Sequence, residues 1–204
     1  MLPPARDPPQ LWMLMPTAQF LDASPPNAAA LSTGLLIARL VFGLVMSAHG
    51  AQKLFGWFGG YSLTVTGGFF EQLGFRPGRV FAAIASATEI VAGLLIAFGL
   101  LGPVGPALML SVMIVAAVAG HWSNGLFASA NGIEVPLLYG SFAVMLALTG
   151  PGLFSLDALL GLEALWSPAF AAATLAVGLI GGMGNLAARR RPAPSTSDVG
   201  LRTT

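Results

Sequence analysis

Leu31–Trp57 reads LSTGLLIARLVFGLVMSAHGAQKLFGW, and this stretch decides the fold. From Leu31 to Ala48 the only charge is Arg39, and the apolar run is long enough to cross a bilayer core of about 30 Å at 1.5 Å per residue. It continues through His49 and Lys53 to Trp57, the order of residues expected where a helix leaves hydrocarbon for the headgroup layer. The first element is therefore predicted to be a transmembrane helix. The whole chain agrees: 55% of its 204 residues are hydrophobic and 8% charged, with mean hydropathy +0.80. Soluble domains carry about 25% charged residues.

Further spans follow downstream. Val80–Leu101 has Glu89 as its only charge, and Val104–Gly120 has none and ends at His121-Trp122. The short Gly102-Pro103 turn between them makes these two helices antiparallel neighbours. Glu134 and Pro136 open a fourth, shorter span that runs to about Thr149, with proline near the helix start where its missing N–H costs least. Ser167-Pro168 supplies an N-cap and first-turn proline for a fifth span, which stops at Arg189–Arg191. Between the first two spans, residues 56–79 are rich in glycine and contain Glu71, Arg76, Pro77 and Arg79, a composition that breaks helices and suits an interfacial loop or a re-entrant segment. Gly178 and Gly182 form a small-xxx-small pair of the kind that lets transmembrane helices approach closely.

The predicted organisation is thus all-α. Residues 1–30 form a proline-rich irregular tail, residues 31–160 a four-helix membrane domain, residues 161–191 an additional C-terminal transmembrane helix, and residues 192–204 a disordered tail. Leu11–Met15 is apolar but too short to span. With five spans, Lys53, Arg76 and Arg79 fall on the same side as Arg189–Arg191, and the opposite side receives Arg6. The positive-inside rule then puts the loop after the first helix and the C-terminus in the cytoplasm of a multi-pass protein of the inner (plasma) membrane.

Composition also excludes classes of function. A net charge of +1 gives no basic surplus for phosphate neutralisation, so nucleic acid is not an expected partner. The chain has no cysteine, which removes disulfides, thiolate nucleophiles and Cys-ligated metal or iron–sulfur centres. His49 and His121 lie far apart without HxxxH or ExxH spacing, so no metal site is expected. No glycine-rich stretch follows a strand-like run, which excludes phosphate and dinucleotide folds.

The candidate chemistry rests on ionisable residues in apolar surroundings. Such a group costs roughly 2.5–3.5 kcal/mol at a span centre on insertion scales, so it persists where it is paired, hydrated or functional. Arg39 and Glu89 are the single charges of their spans, and the simplest arrangement pairs them between the first and second helices. A purely structural pair is the bland alternative. His49 and Lys53, spaced i and i+4, project from one face of the first helix, with Arg39 about 15 Å deeper, so the three can line one polar track. Snorkelling of Lys53 to headgroups and a carbonyl contact of His49 compete with that reading. His121 and Glu134 are secondary candidates, since a histidine at a helix C-terminus and a glutamate at a helix N-terminus are both explained by the helix dipole.

Arg39-Leu40 followed by Gly43, then His49-Gly50-Ala51-Gln52-Lys53-Leu54-Phe55-Gly56, Glu89 and Gly93, and Gly150-Pro151-Gly152 leading to Ser155-Leu156-Asp157, together resemble the DoxX family of bacterial and archaeal membrane proteins. The resemblance covers residues 31–160, and its most specific part is HGxQKLFG after an intramembrane arginine. It implies a four-helix transmembrane bundle of DoxX type, to which the fifth helix and the N-terminal tail are additions. It also implies a redox-associated role, because the family includes a subunit of thiosulfate:quinone oxidoreductase and membrane partners of superoxide-detoxifying and sulfur-transfer proteins.

On that basis the leading expectation is a quinone-linked oxidoreductase subunit. It would hold no covalent cofactor but a bound quinone, with Arg39, His49, Lys53 and Glu89 as proton donors or ring contacts, and its partners would be the bilayer and another redox or sulfur-transfer subunit. A non-enzymatic scaffold that recruits such partners is the alternative, and a small-solute or proton transporter is the third reading.

Overall fold

The structure, a computed structural model, describes residues 27–190. The sequence readings for the N-terminal tail up to residue 26, including Arg6 and Leu11–Met15, and for residues 191–204 lie outside the described residues. Helix α1 is Ala28–Phe55, α2 Ser62–Gln72, α3 Gly78–Phe98, α4 Val104–Val115, α5 Glu134–Thr149, α6 Leu156–Leu160 and α7 Pro168–Ala187. Helix α4 is prolonged by a π-helical segment, Ala116–His121, and a 3-10 turn, Trp122–Asn124. No strand occurs among the described residues.

Among the described residues, four helices are long and apolar enough to cross a membrane: α1, α3, α4 with its extension, and α7. Helix α5 has 16 residues, about 24 Å at 1.5 Å per residue, so it falls short of the hydrocarbon thickness. The surface is the reverse of a soluble protein's. Val41, Leu44 and Val45 on α1, Ile84 and Val91 on α3, Leu137 and Leu148 on α5, and Val177 and Ile180 on α7 all face outward. Inside, Leu35 and Met46 of α1, Ala92 and Ile96 of α3, Met109 and Met113 of α4, and Tyr139, Phe142, Ala143 and Leu146 of α5 make one core cluster. An all-α membrane bundle satisfies both that exterior and the backbone polar groups in hydrocarbon, since each helix pairs its own N–H and C=O groups.

Small residues set the helix spacing. Helices α1 and α3 run antiparallel and touch at Gly43 and Gly93, where a Cβ added to either would collide with the backbone of the other helix. Gly178 and Gly182 of α7 lie against the backbone of α4 at Ala107 and Ser111, so the small-xxx-small pair is a helix–helix contact. Ser167 caps α7 by accepting the Phe170 N–H at 3.4 Å, and Pro168 occupies the first turn.

Residues 56–79, expected from their helix-breaking composition to form an interfacial loop or a re-entrant segment, are partly helical. They contain α2, which packs along the first half of α3. Gly67 is buried within it because Arg79 and Gly78 press against its backbone. Glycine that weakens a helix by propensity here permits the contact that holds it. The same end of the bundle receives the residues that follow α7: Arg189 Nε donates to the Leu73 carbonyl at 2.9 Å and stacks 5.7 Å from the Phe75 ring centre, and the Arg190 N–H donates to the Gly74 carbonyl at 2.8 Å. The loop after α1 and the end of α7 therefore share one end.

Candidate functional site

The two charges expected to face each other do not. Antiparallel packing about the Gly43–Gly93 contact sets Arg39 beside the end of α3 and Lys53 beside its middle. Glu89, 1% exposed, pairs with Lys53 through Oε1, and the lysine side chain is 34% exposed toward the end of the bundle. Arg39, fully buried, turns the other way: its Nη2 donates to the Phe154 carbonyl in the loop before α6. The pairing expected from one charge per span is thus replaced by two separate polar centres, one near the middle of α1 and one at its C-terminal end, because antiparallel register, not the number of charges, selects partners.

At the Arg39 end, the carboxylate of Asp157 is fully buried and accepts the Leu101 N–H at 2.8 Å, the Gly102 N–H at 2.6 Å and the Trp166 indole N–H at 3.1 Å. It closes the α3–α4 turn, and its charge acts on Arg39 without a direct ion pair. Gly99, at φ +62°, leaves room for the guanidinium, since any Cβ there would fall on it. Asp157 is a functional residue to which the sequence reading gives no role of its own. The available signal was its position in the Gly150-Pro151-Gly152…Ser155-Leu156-Asp157 stretch, a lone acid among apolar residues.

At the other end, a cavity of about 210 Å³ lies between α2, α3, α4 and α7. Phe69, Phe70, Phe75 and Phe81 supply aromatic wall, Val112 and Val115 aliphatic wall, and Lys53, Thr66, Thr88, Glu89, Ser111, His121 and Asn185 the polar atoms. Glu89 Oε2 is buried with no hydrogen-bond partner. The π-helical segment contributes Ala116, Ala119, Gly120 and His121 to the wall; such wide turns recur at functional sites because the inserted residue re-aims the side chains that follow. His121 Nδ1 lies 2.8 Å from the Asn131 carbonyl. A carbonyl only accepts, so Nδ1 carries the proton and Nε2 of the neutral ring is an acceptor.

Of the residues nominated from sequence, Lys53, Glu89 and His121 therefore meet at one cavity, and Arg39, His49 and Glu134 lie elsewhere. His49 sits edge-on to Tyr139 of α5 at 6.4 Å between ring centres, next to the stacked Phe42–Phe142 pair, so the expected single polar track along α1 is not formed. Glu134 accepts the Ala128 N–H at 2.7 Å and closes the loop before α5. No group of three His, Cys, Asp or Glu side chains gathers among the described residues.

A helical membrane bundle with an intramembrane ion pair opening onto an aromatic-walled cavity is the class of protein that fold and site define. Residues 34–122, which hold most of α1, α2 to α4 and His121, match the family model described as DoxX. Over that stretch the chain is similar to the DoxX family of membrane proteins. Searches of curated proteins and of solved structures returned no match.

Proposed function

We propose that the chain is a quinone-linked oxidoreductase subunit of the cell's inner membrane, and that the ring binds in the cavity between α2, α3, α4 and α7. The observation that carries this reading is the unpartnered Glu89 Oε2 in a pocket otherwise walled by aromatic and aliphatic side chains. A quinone ring needs flat apolar walls, polar groups near its two oxygens and a route to lipid for its tail. The residues present fit those needs, with Glu89 and His121 as polar contacts and the phenylalanines as wall. A volume of 210 Å³, below the roughly 300–1,000 Å³ of drug-sized pockets, suits one ring with its tail left in the bilayer.

When bound, a quinone would supply reversible two-electron, two-proton chemistry that no side chain of a cysteine-free chain provides. The protein's part is to hold and to move protons. Glu89 is the buried proton acceptor, and Lys53, one third exposed, links it to the aqueous end of the bundle. With Lys53, Arg76, Arg79, Arg189 and Arg190 at that end, the positive-inside rule makes it the cytoplasmic one.

The test is retention. Protein purified in lipid nanodiscs and extracted for mass spectrometry is expected to release near-stoichiometric quinone. Ala119→Phe, which fills the cavity with a ring of its own, should lower that yield at least about tenfold with thermal unfolding unchanged. A folded wild-type protein that carries no quinone and takes up none on incubation would overturn the reading.

A further inference from the structure

A quinone and its reduced form differ in hydrogen-bonding sense. The two ring oxygens of the oxidised form only accept, whereas the two hydroxyls of the reduced form also donate. The Ser111 hydroxyl, with its proton unspent, can donate or accept and so suits either form, whereas the other polar atoms of the cavity are matched unequally to them. Thr66 spends its hydroxyl proton on the Lys53 carbonyl at 3.4 Å, Thr88 on the Ile84 carbonyl at 2.8 Å, and Asn185 one amide proton on the Gly181 carbonyl at 2.9 Å. His121 spends its Nδ1 proton on the Asn131 carbonyl. Lys53 has ammonium protons left, but its side chain is one third exposed, so water at the end of the bundle can take them. The buried atom with nothing to bond is an acceptor, Glu89 Oε2, and the ion pair through Oε1 leaves that group a carboxylate, which does not donate.

We infer that the cavity selects the reduced, hydroxyl-bearing ring over the oxidised one, with a ring hydroxyl donating to Glu89 Oε2. The inference rests on the quinone reading of this site and adds the redox form it takes. The oxidised ring would set a carbonyl oxygen where Oε2 needs a donor, leaving a buried carboxylate oxygen desolvated and unpaired, whereas the reduced ring satisfies it. His121 Nε2, an acceptor on the same wall, suits a second hydroxyl in the same way.

Full-length protein in nanodiscs, titrated without oxygen with a decyl-substituted benzoquinone and separately with its hydroquinone, tests this. The hydroquinone is expected to bind at least about tenfold more tightly. Glu89→Gln should bring the ratio close to one, because a carboxamide offers N–H as well as oxygen. Equal or tighter binding of the oxidised ring by the wild type would sink the selectivity and leave the quinone site standing. A ratio that persists in Glu89→Gln would also refute it, by showing that Oε2 is not the discriminating atom. Should Glu89→Gln not fold, the wild-type ratio decides alone. Binding of neither form by folded wild type removes both the selectivity and the quinone reading.

Discussion

Glu89 and Asp157 are both fully buried acids, and their surroundings assign them different work. Asp157 accepts three N–H groups that hold the α3–α4 turn and Trp166 in place. Asp157→Ala strands those donors and leaves Arg39 with no opposing charge, so about 2–4 kcal/mol of stability should go; Asp157→Asn, which keeps an acceptor oxygen, should lose less. Thermal unfolding in detergent measures both, and equal loss in the two variants would show that acceptance is not what Asp157 contributes. Glu89 has one partner and one idle oxygen. Lys53→Met leaves an unpaired buried carboxylate and should cost about 3 kcal/mol, whereas the double variant Lys53→Met with Glu89→Leu should return to within about 1 kcal/mol of the wild type. The double variant should nonetheless bind no quinone. Stability lost equally in single and double variants would instead make the pair a packing element. At this scale the sequence showed which residues are charged within spans and not whom they meet. Arg39 and Glu89 are the lone charges of the apolar runs Leu31–Ala48 and Val80–Leu101, yet neither satisfies the other.

Helices were the most legible level. Runs of apolar residues bounded by Gly56, Pro77-Gly78, Gly99, Glu134 and Ser167-Pro168 mark the ends of α1, α3, α5 and α7 to within a few residues, because those boundaries depend on local backbone chemistry. Helix α2 was not legible. Its glycines argue against a helix until Gly78 and Arg79 of α3 are brought against Gly67, and no local pattern contains that contact. The same lies behind the π-helical segment that turns His121 to the cavity. At the α1–α3 crossing, Gly43→Val should force the helices apart where backbone meets backbone. The variant should still insert but lose about 1–3 kcal/mol or more, with much of its quinone binding. A valine tolerated at Gly43 with full stability and ligand binding would show that the crossing is looser than drawn.

For the whole molecule, five helices of the bundle place the loop after α1 and the end of α7 together, tied by Arg189 to Leu73 and Arg190 to Gly74. Reporter fusions after Arg79 and after Arg190 should therefore give the same signal, and a cytoplasmic one; opposite signals would mean that the short α5 does not cross. The apolar runs, the lone charges within them and the absence of cysteine were enough to determine a helical membrane protein and to exclude whole classes of chemistry, because insertion energy depends on each segment's own composition. Which charges meet was decided only by tertiary structure. Partner choice depends on the register at which antiparallel helices close on Gly43 and Gly93, and on the loops folded back at each end. Contacts between residues as distant as Arg39 and Phe154, or Lys53 and Glu89, are properties of that packing and of no single stretch of chain.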